Sequence, residues 1–171
     1  MEKNIQNITV RELTDKADVN RSTFYANFKD IYDLYNQVED VVIQEVSDIL
    51  SIKENRDAKT FFNILFQYIA DNKQACQLIL AGNVNSTFTK RISALFKFSC
   101  IEHWKNEYDL TYTEKELEYY AQFLFSGNLA VIGEWVAHEH KQPTEEVMTI
   151  LTDIDYNFEN FIKSKAKKAT G

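Results

Sequence analysis

Four glycines and a single proline in 171 residues leave this chain little material for turns. Hairpins and tight turns depend on those two residues, and helix interiors tolerate them worst. So few breakers over this length restrict the chain to long helices with few connections, and the expected class is all-α. Hydrophobic residues at 44% and charged residues at 26% supply the apolar surface of an ordinary globular core, which argues against a disordered tail protein. The length suits one compact unit, or a small head joined to a larger body.

The helix signals run in order along the chain. Thr9-Val10-Arg11-Glu12 reads as a capping box, in which the Thr9 hydroxyl accepts from the Glu12 backbone and the Glu12 carboxylate reaches back to Thr9. A short helix to about Ala17 should follow, then a tight turn at Asp18-Val19-Asn20 with Asn20 as the next N-cap, then a second short helix from Arg21 to about Asn27. Lys29-Asp30 breaks that helix and opens a longer one, where Ile31, Leu34, Tyr35, Val38, Val42, Val46, Ile49 and Leu50 recur at spacings of three and four. A polar gap at Lys53 to Lys59 precedes an aromatic-rich helix with Phe61, Phe62, Leu65, Phe66 and Ile69. A brief helix over Gln74 to Ala81 should stop at Gly82 as its C′ residue. Helical period returns from Asn85 to Tyr108, and Thr113-Glu114-Lys115-Glu116 is a second capping box, for a helix to about His138. Pro143 fits the first turn of a last helix that carries Val147, Leu151, Ile154, Phe158 and Phe161 on one face.

Charge and composition exclude several classes. The formal net charge is −7, yet residues 1–31 hold five basic and five acidic side chains, so the whole acidic excess lies beyond them. Such a distribution repels polyanions everywhere except at the head, which is compatible with a nucleic-acid partner. Cys76 and Cys100 lack metal-ligand spacing and read as reduced thiols. The N-terminus has no apolar leader, and the most apolar run, Phe123 to Val136, is interrupted by Ser126, Asn128 and Glu134, so a cytoplasmic protein without a membrane partner is expected. Glu134 and His138, four apart, could share a metal, but no third ligand stands at a readable spacing. His103 reads as a helix-surface residue, and no nucleophile elbow or phosphate-binding glycine loop is present. No enzyme, cofactor or metal site is expected.

The informative stretch is Ile8 to Lys29. Leu13, Ala17, Val19, Phe24 and Phe28 form an apolar seam suited to holding two short helices together, and opposite it stand Arg21, Ser22, Thr23, Tyr25 and Asn27, all able to hydrogen-bond. A helix that enters a major groove by its N-terminal end needs such residues in its first turns. Ile8-Thr9-Val10-Arg11-Glu12-Leu13, Ala17-Asp18-Val19-Asn20, Arg21-Ser22-Thr23-Phe24-Tyr25 and Phe28-Lys29 together resemble the helix-turn-helix of the TetR family of transcriptional regulators. The resemblance implies a head at residues 1–29 and a helical effector-binding and dimerisation body at 30–171. It implies that Arg21 and Ser22 face base edges of double-stranded operator DNA, with Thr23 on the same face, and that Thr9, Tyr25, Asn27 and Lys29 approach phosphates. Two departures stand out: Ser22 occupies a position commonly glycine in the family, and Ala26 one often aromatic. The family also places a full helix before Ile8, for which seven residues are too few, so the head is expected to be incomplete.

For the body, the run from Phe123 to Val136 is apolar nearly all round and must be covered on several sides. By resemblance the last two helices form a homodimer interface, expected at Gly127, Ala130, Gly133, Trp135, Leu151 and Phe158. Aromatics of the middle helices, Phe62, Phe66, Phe96, Trp104, Tyr120 and Phe123, are expected around a pocket for a small-molecule effector, or else simply fill the core. The function implied is a DNA-binding regulator, a repressor controlled by that effector. The alternative is a coactivator or interaction module of the same fold that does not touch DNA.

Overall fold

The computed structural model describes residues 8–52, 57–80, 86–137 and 142–165. Among them the chain is all-α, with eight helices and no β-strand: α1 (Val10–Ala17), α2 (Arg21–Asn27), α3 (Ile31–Ser51), α4 (Ala58–Asp71), α5 (Lys73–Leu80), α6 (Thr87–Glu107), α7 (Glu114–Ala137) and α8 (Thr144–Ser164). Gly82, His138 and His140 lie outside the described residues. By its internal packing the chain divides into two compact units, Met1–Val42 and Ile43–Gly171.

In the first unit, α1 opens on the expected capping box. The Thr9 hydroxyl accepts from the Glu12 N–H at 3.2 Å, while the Glu12 carboxylate accepts from the Thr9 N–H at 3.1 Å. Two donors left over at a helix N-terminus are thereby satisfied. The helix stops because Asp18 turns left-handed at φ 54°, ψ 43°, a conformation that Asp tolerates better than most residues. Asn20 holds the N-cap position of α2, but its side chain makes no cap bond; its backbone carbonyl alone accepts from Phe24. α1 and α2 pack together around buried Phe24 and Thr14 and half-buried Leu13 and Phe28. Ala17 and Val19 differ from the expected seam, since both are exposed. The left-handed residue at Asp18 breaks the helical period just there, so spacing counted across it misplaces Val19. Thr14 enters the core by donating to the carbonyls of Val10 at 2.8 Å and Arg11 at 3.1 Å, which removes the cost of burying its hydroxyl. Asp30 caps α3 by accepting from the Asp33 N–H at 2.9 Å.

The second unit is a bundle in which α4 packs along α8, α6 along α7, and α5 against α7. Its core is a cluster of Phe62, Phe66, Ile69, Cys76, Ile132, Trp135, Val136, Val147 and Leu151. The Phe66 ring lies 4.8 Å from that of Trp135, whose indole N–H donates to the Gln142 carbonyl at 3.1 Å. Asp57 and Ser86 cap α4 and α6 through their side chains, and the Thr113–Glu116 capping box opens α7 as expected. Pro143 stands at the N-cap of α8, one residue ahead of its expected place in the first turn. In α7 the buried residues Leu117, Ala121, Leu124, Phe125, Asn128, Ile132, Trp135 and Val136 follow the helical repeat. One face of this helix is therefore core, and the opposite face, with Phe123, Gly127 and Ala130, is exposed.

Candidate functional site

In the first unit, α2 buries only Phe24. Arg21, Ser22, Thr23, Tyr25 and Asn27 are all exposed, and so are Thr9 and Lys29. Tyr25 is 58% exposed, held edge-on against Phe24 with ring centroids 5.4 Å apart, so its orientation is set by the core residue beside it. Two of the seven are partly engaged at home. The Thr9 hydroxyl belongs to the capping box, and the Asn27 amide donates to the Thr23 carbonyl at 2.8 Å. The hydrogen-bonding edge predicted from the order Arg-Ser-Thr-Phe-Tyr is thus one continuous exposed helix face.

In the second unit, a cavity of about 380 Å³ lies among the end of α3, the start of α4, α6, α7 and α8. Phe61, Phe96, Phe98, Trp104 and Phe158 supply aromatic wall, and Ser47, Leu50 and Ser51 of α3 line one side. Cys100, Glu102, His103, Asp155 and Glu159 give the polar part. Asp155 and Glu159, four apart on α8, differ sharply. Glu159 accepts from Tyr108 and is paired with His103 at 3.1 Å and Lys163 at 3.6 Å. The hydrogen bond from His103, joined by those of its other partners, pulls its carboxyl down to about 2. Among the described residues Asp155 has the Asn128 amide, which donates to both oxygens at 3.1 and 3.3 Å. Burial outweighs that support and, with the neighbouring Glu159 charge, pushes the Asp155 carboxyl up to about 6. Burial and the same two carboxylates also raise the Cys100 thiol, making it an inert sulfhydryl at neutral pH.

Of the residues expected around a pocket, the structure brings Phe96 and Trp104 to this cavity. Phe62 and Phe66 are instead fully buried in the core cluster, Tyr120 packs on Tyr112, Phe158 and Phe161, and Phe123 is 70% exposed. Of those expected at an interface, Trp135 and Leu151 are core residues of this chain. Gly127 and Ala130 lie open on α7, while Gly133 is half-buried; a Cβ added at either glycine would meet nothing within 4 Å. Phe158 is half-buried and stacks on Phe123 at 6.0 Å. An exposed apolar stripe on α8, Ile150, Ile154 and Phe161, stands at helical spacing with Phe158. His103, expected on the surface, is half-buried. The sequence reading missed the Asn128–Asp155 pair; its only trace is two polar residues breaking otherwise apolar helical stripes. Among the described residues no group of His, Cys, Asp and Glu side chains could hold a metal ion, and no helix is long and apolar enough to cross a membrane.

Comparison with known proteins agrees with this architecture. A solved structure titled "Dihydroxyacetone kinase operon activator DhaS" superposes with a TM-score of 0.64 at 16% identity, covering 95% of this chain and 88% of that one, a likeness of fold. No curated protein matches the chain. The family model described as "Transcriptional regulator C-terminal region", of the TetR type, matches residues 56–156, more than half of the sequence. This chain therefore belongs to the TetR family of transcriptional regulators.

Proposed function

We propose that the protein is a one-component, non-catalytic regulator that binds operator DNA as a homodimer and is released from it by a small molecule, acting as a cytoplasmic repressor. The observation that carries this reading is the exposed polar face of α2 above a single buried anchor, Phe24. Arg21 and Ser22, in the first turn, are in place to read base edges, with Thr23 beside them; Arg21 suits the O6 and N7 acceptors of guanine. Tyr25, Asn27, Lys29 and Thr9 would hold phosphates, aided by the N–H groups at the start of α1.

Dimerisation is supported by the α7 and α8 surface. Phe123, Gly127 and Ala130 on α7, with Ile150, Ile154 and Phe161 on α8, make an exposed apolar face joined through the Phe123–Phe158 stack. Glycine inside a helix costs about 1 kcal/mol relative to alanine, and among the described residues nothing lies within 4 Å of a Cβ built at Gly127. A partner helix approaching closely would give that glycine a purpose. Effector control is supported by the cavity, because the last turns of α3 line it while the first turns of α3 belong to the head unit. A ligand that displaces Leu50 moves the one helix shared by both units, and with it the spacing of the two recognition helices.

Footprinting on the DNA flanking its gene tests the proposal. A protected pseudo-palindrome with half-sites about 34–36 Å apart is the expected result. A protein that protects no site is instead a coactivator or interaction module of the same fold, a reading favoured by the acidic excess beyond residue 31.

A further inference from the structure

Taking the cavity as the effector site, we infer that its ligand is an organic cation with an aromatic or apolar body, and that Asp155 is its counter-ion. Among the described residues the charged side chains that line the cavity are Glu102, His103, Asp155 and Glu159, and no described lysine or arginine lines it. Against this described lining an anionic ligand would meet carboxylates. Lys163, which pairs with Glu159, is not part of the lining and is held by that carboxylate and over the Tyr108 ring.

The two α8 carboxylates separate the roles. Glu159 is satisfied by Tyr108, His103 and Lys163, and it needs no ligand. Asp155 is mostly buried, faces the cavity, and among the described residues has one neutral partner, the Asn128 amide. Removing a carboxylate from water without a cation is unfavourable, and a neutral residue of the same shape would avoid that cost. Geometry and charge therefore leave one position open, a cation beside Asp155. Around it stand Phe96, Trp104 and Phe158, whose ring faces attract positive charge and cover apolar surface. The volume of about 380 Å³ admits a ligand of one or two rings with an ammonium group.

The test uses the full chain without DNA and three probes that share a benzyl group: benzyltrimethylammonium, phenylmethanesulfonate and neutral benzyl alcohol. Trp104 lines the cavity, so tryptophan fluorescence reports occupancy, with calorimetry as the second measurement. Benzyltrimethylammonium should bind about tenfold or more tightly than the other two, and Asp155→Asn should reduce that preference to about threefold or less. Equal or tighter binding of the sulfonate or the alcohol overturns the inference. So does a cation preference that survives Asp155→Asn, and so does the absence of binding by all three at about 10 mM. Footprinting with and without the cation keeps the two proposals apart. A cation-selective cavity whose occupancy leaves the footprint unchanged refutes effector control and leaves the cation site standing; a footprint without cation binding does the reverse.

Discussion

Asp155→Asn should make the body of this protein more stable at neutral pH, because the native carboxylate is held at a cost. Its carboxyl is pushed from 3.8 up to about 6, chiefly by burial. At about 1.4 kcal/mol for each tenfold change in proton affinity, that displacement corresponds to about 3 kcal/mol. Residual solvent contact and the cost of burying the new amide reduce the expected gain to about 1–2 kcal/mol. The sign follows from proton counting. The native state holds its proton more tightly than the unfolded chain, so the stability tied to protonated Asp155 is present in full below about pH 4 and is lost as pH rises through about 6. Above that pH the wild type bears the whole cost of the buried charge, which the variant does not carry. Glu159 has the opposite sign: its carboxyl is pulled from 4.5 down to about 2, so its contribution is complete above that range, is lost as pH falls through it, and does not interfere at higher pH. Urea unfolding followed by tryptophan fluorescence is suited to the measurement, since Trp104 and Trp135 both lie in the second unit. The variant should exceed wild type by about 1–2 kcal/mol near pH 7.5, with a smaller gap near pH 5.5. A variant less stable at both pH values, or a gap independent of pH, would refute the reasoning.

Three further outcomes follow from the same geometry. Phe66→Ala empties the centre of the core, where Phe66 is 1% exposed against Trp135, and should cost about 3–5 kcal/mol in urea unfolding. Thr9→Ala removes the capping box of α1 and should destabilise the head by about 1 kcal/mol, read as faster amide exchange in residues 10–17 with the body unaffected. Phe123→Glu places a charge on the exposed α7 face, so the protomer should fold within about 0.5 kcal/mol of wild type while sedimentation shows a monomer; a dimer that persists would remove α7 from the interface.

What the sequence disclosed and what it hid divide along physical lines. The Thr9-x-x-Glu12 and Thr113-x-x-Glu116 boxes were legible because every atom of a capping box lies within four residues. The α2 face was legible for the same reason, since Arg21 to Asn27 is one helix with one buried residue. Val19 was misread because one left-handed residue, Asp18, resets the period, and no spacing rule announces it; Ala17, at the end of α1, is simply exposed. Asn20 has the right side chain for a cap and does not use it. Phe62, Phe96 and Trp104 look alike as aromatics on helical stripes; only the packing sends Phe62 to the core and the other two to the cavity. The pairing of Asn128 with Asp155 spans 27 residues and two helices, beyond the reach of local pattern. Chemistry carried by tertiary contact is what a single sequence conceals.

The central claim, that the α2 face reads DNA, is tested most directly by fluorescence anisotropy with a labelled fragment of the DNA flanking the gene, comparing wild type with Arg21→Ala at low and moderate salt. Wild type should bind with an affinity that weakens steeply with salt, and Arg21→Ala should lose about 1–3 kcal/mol on the specific fragment alone. Equal affinity of the two proteins for every fragment, or no binding by wild type at low salt, would contradict that claim.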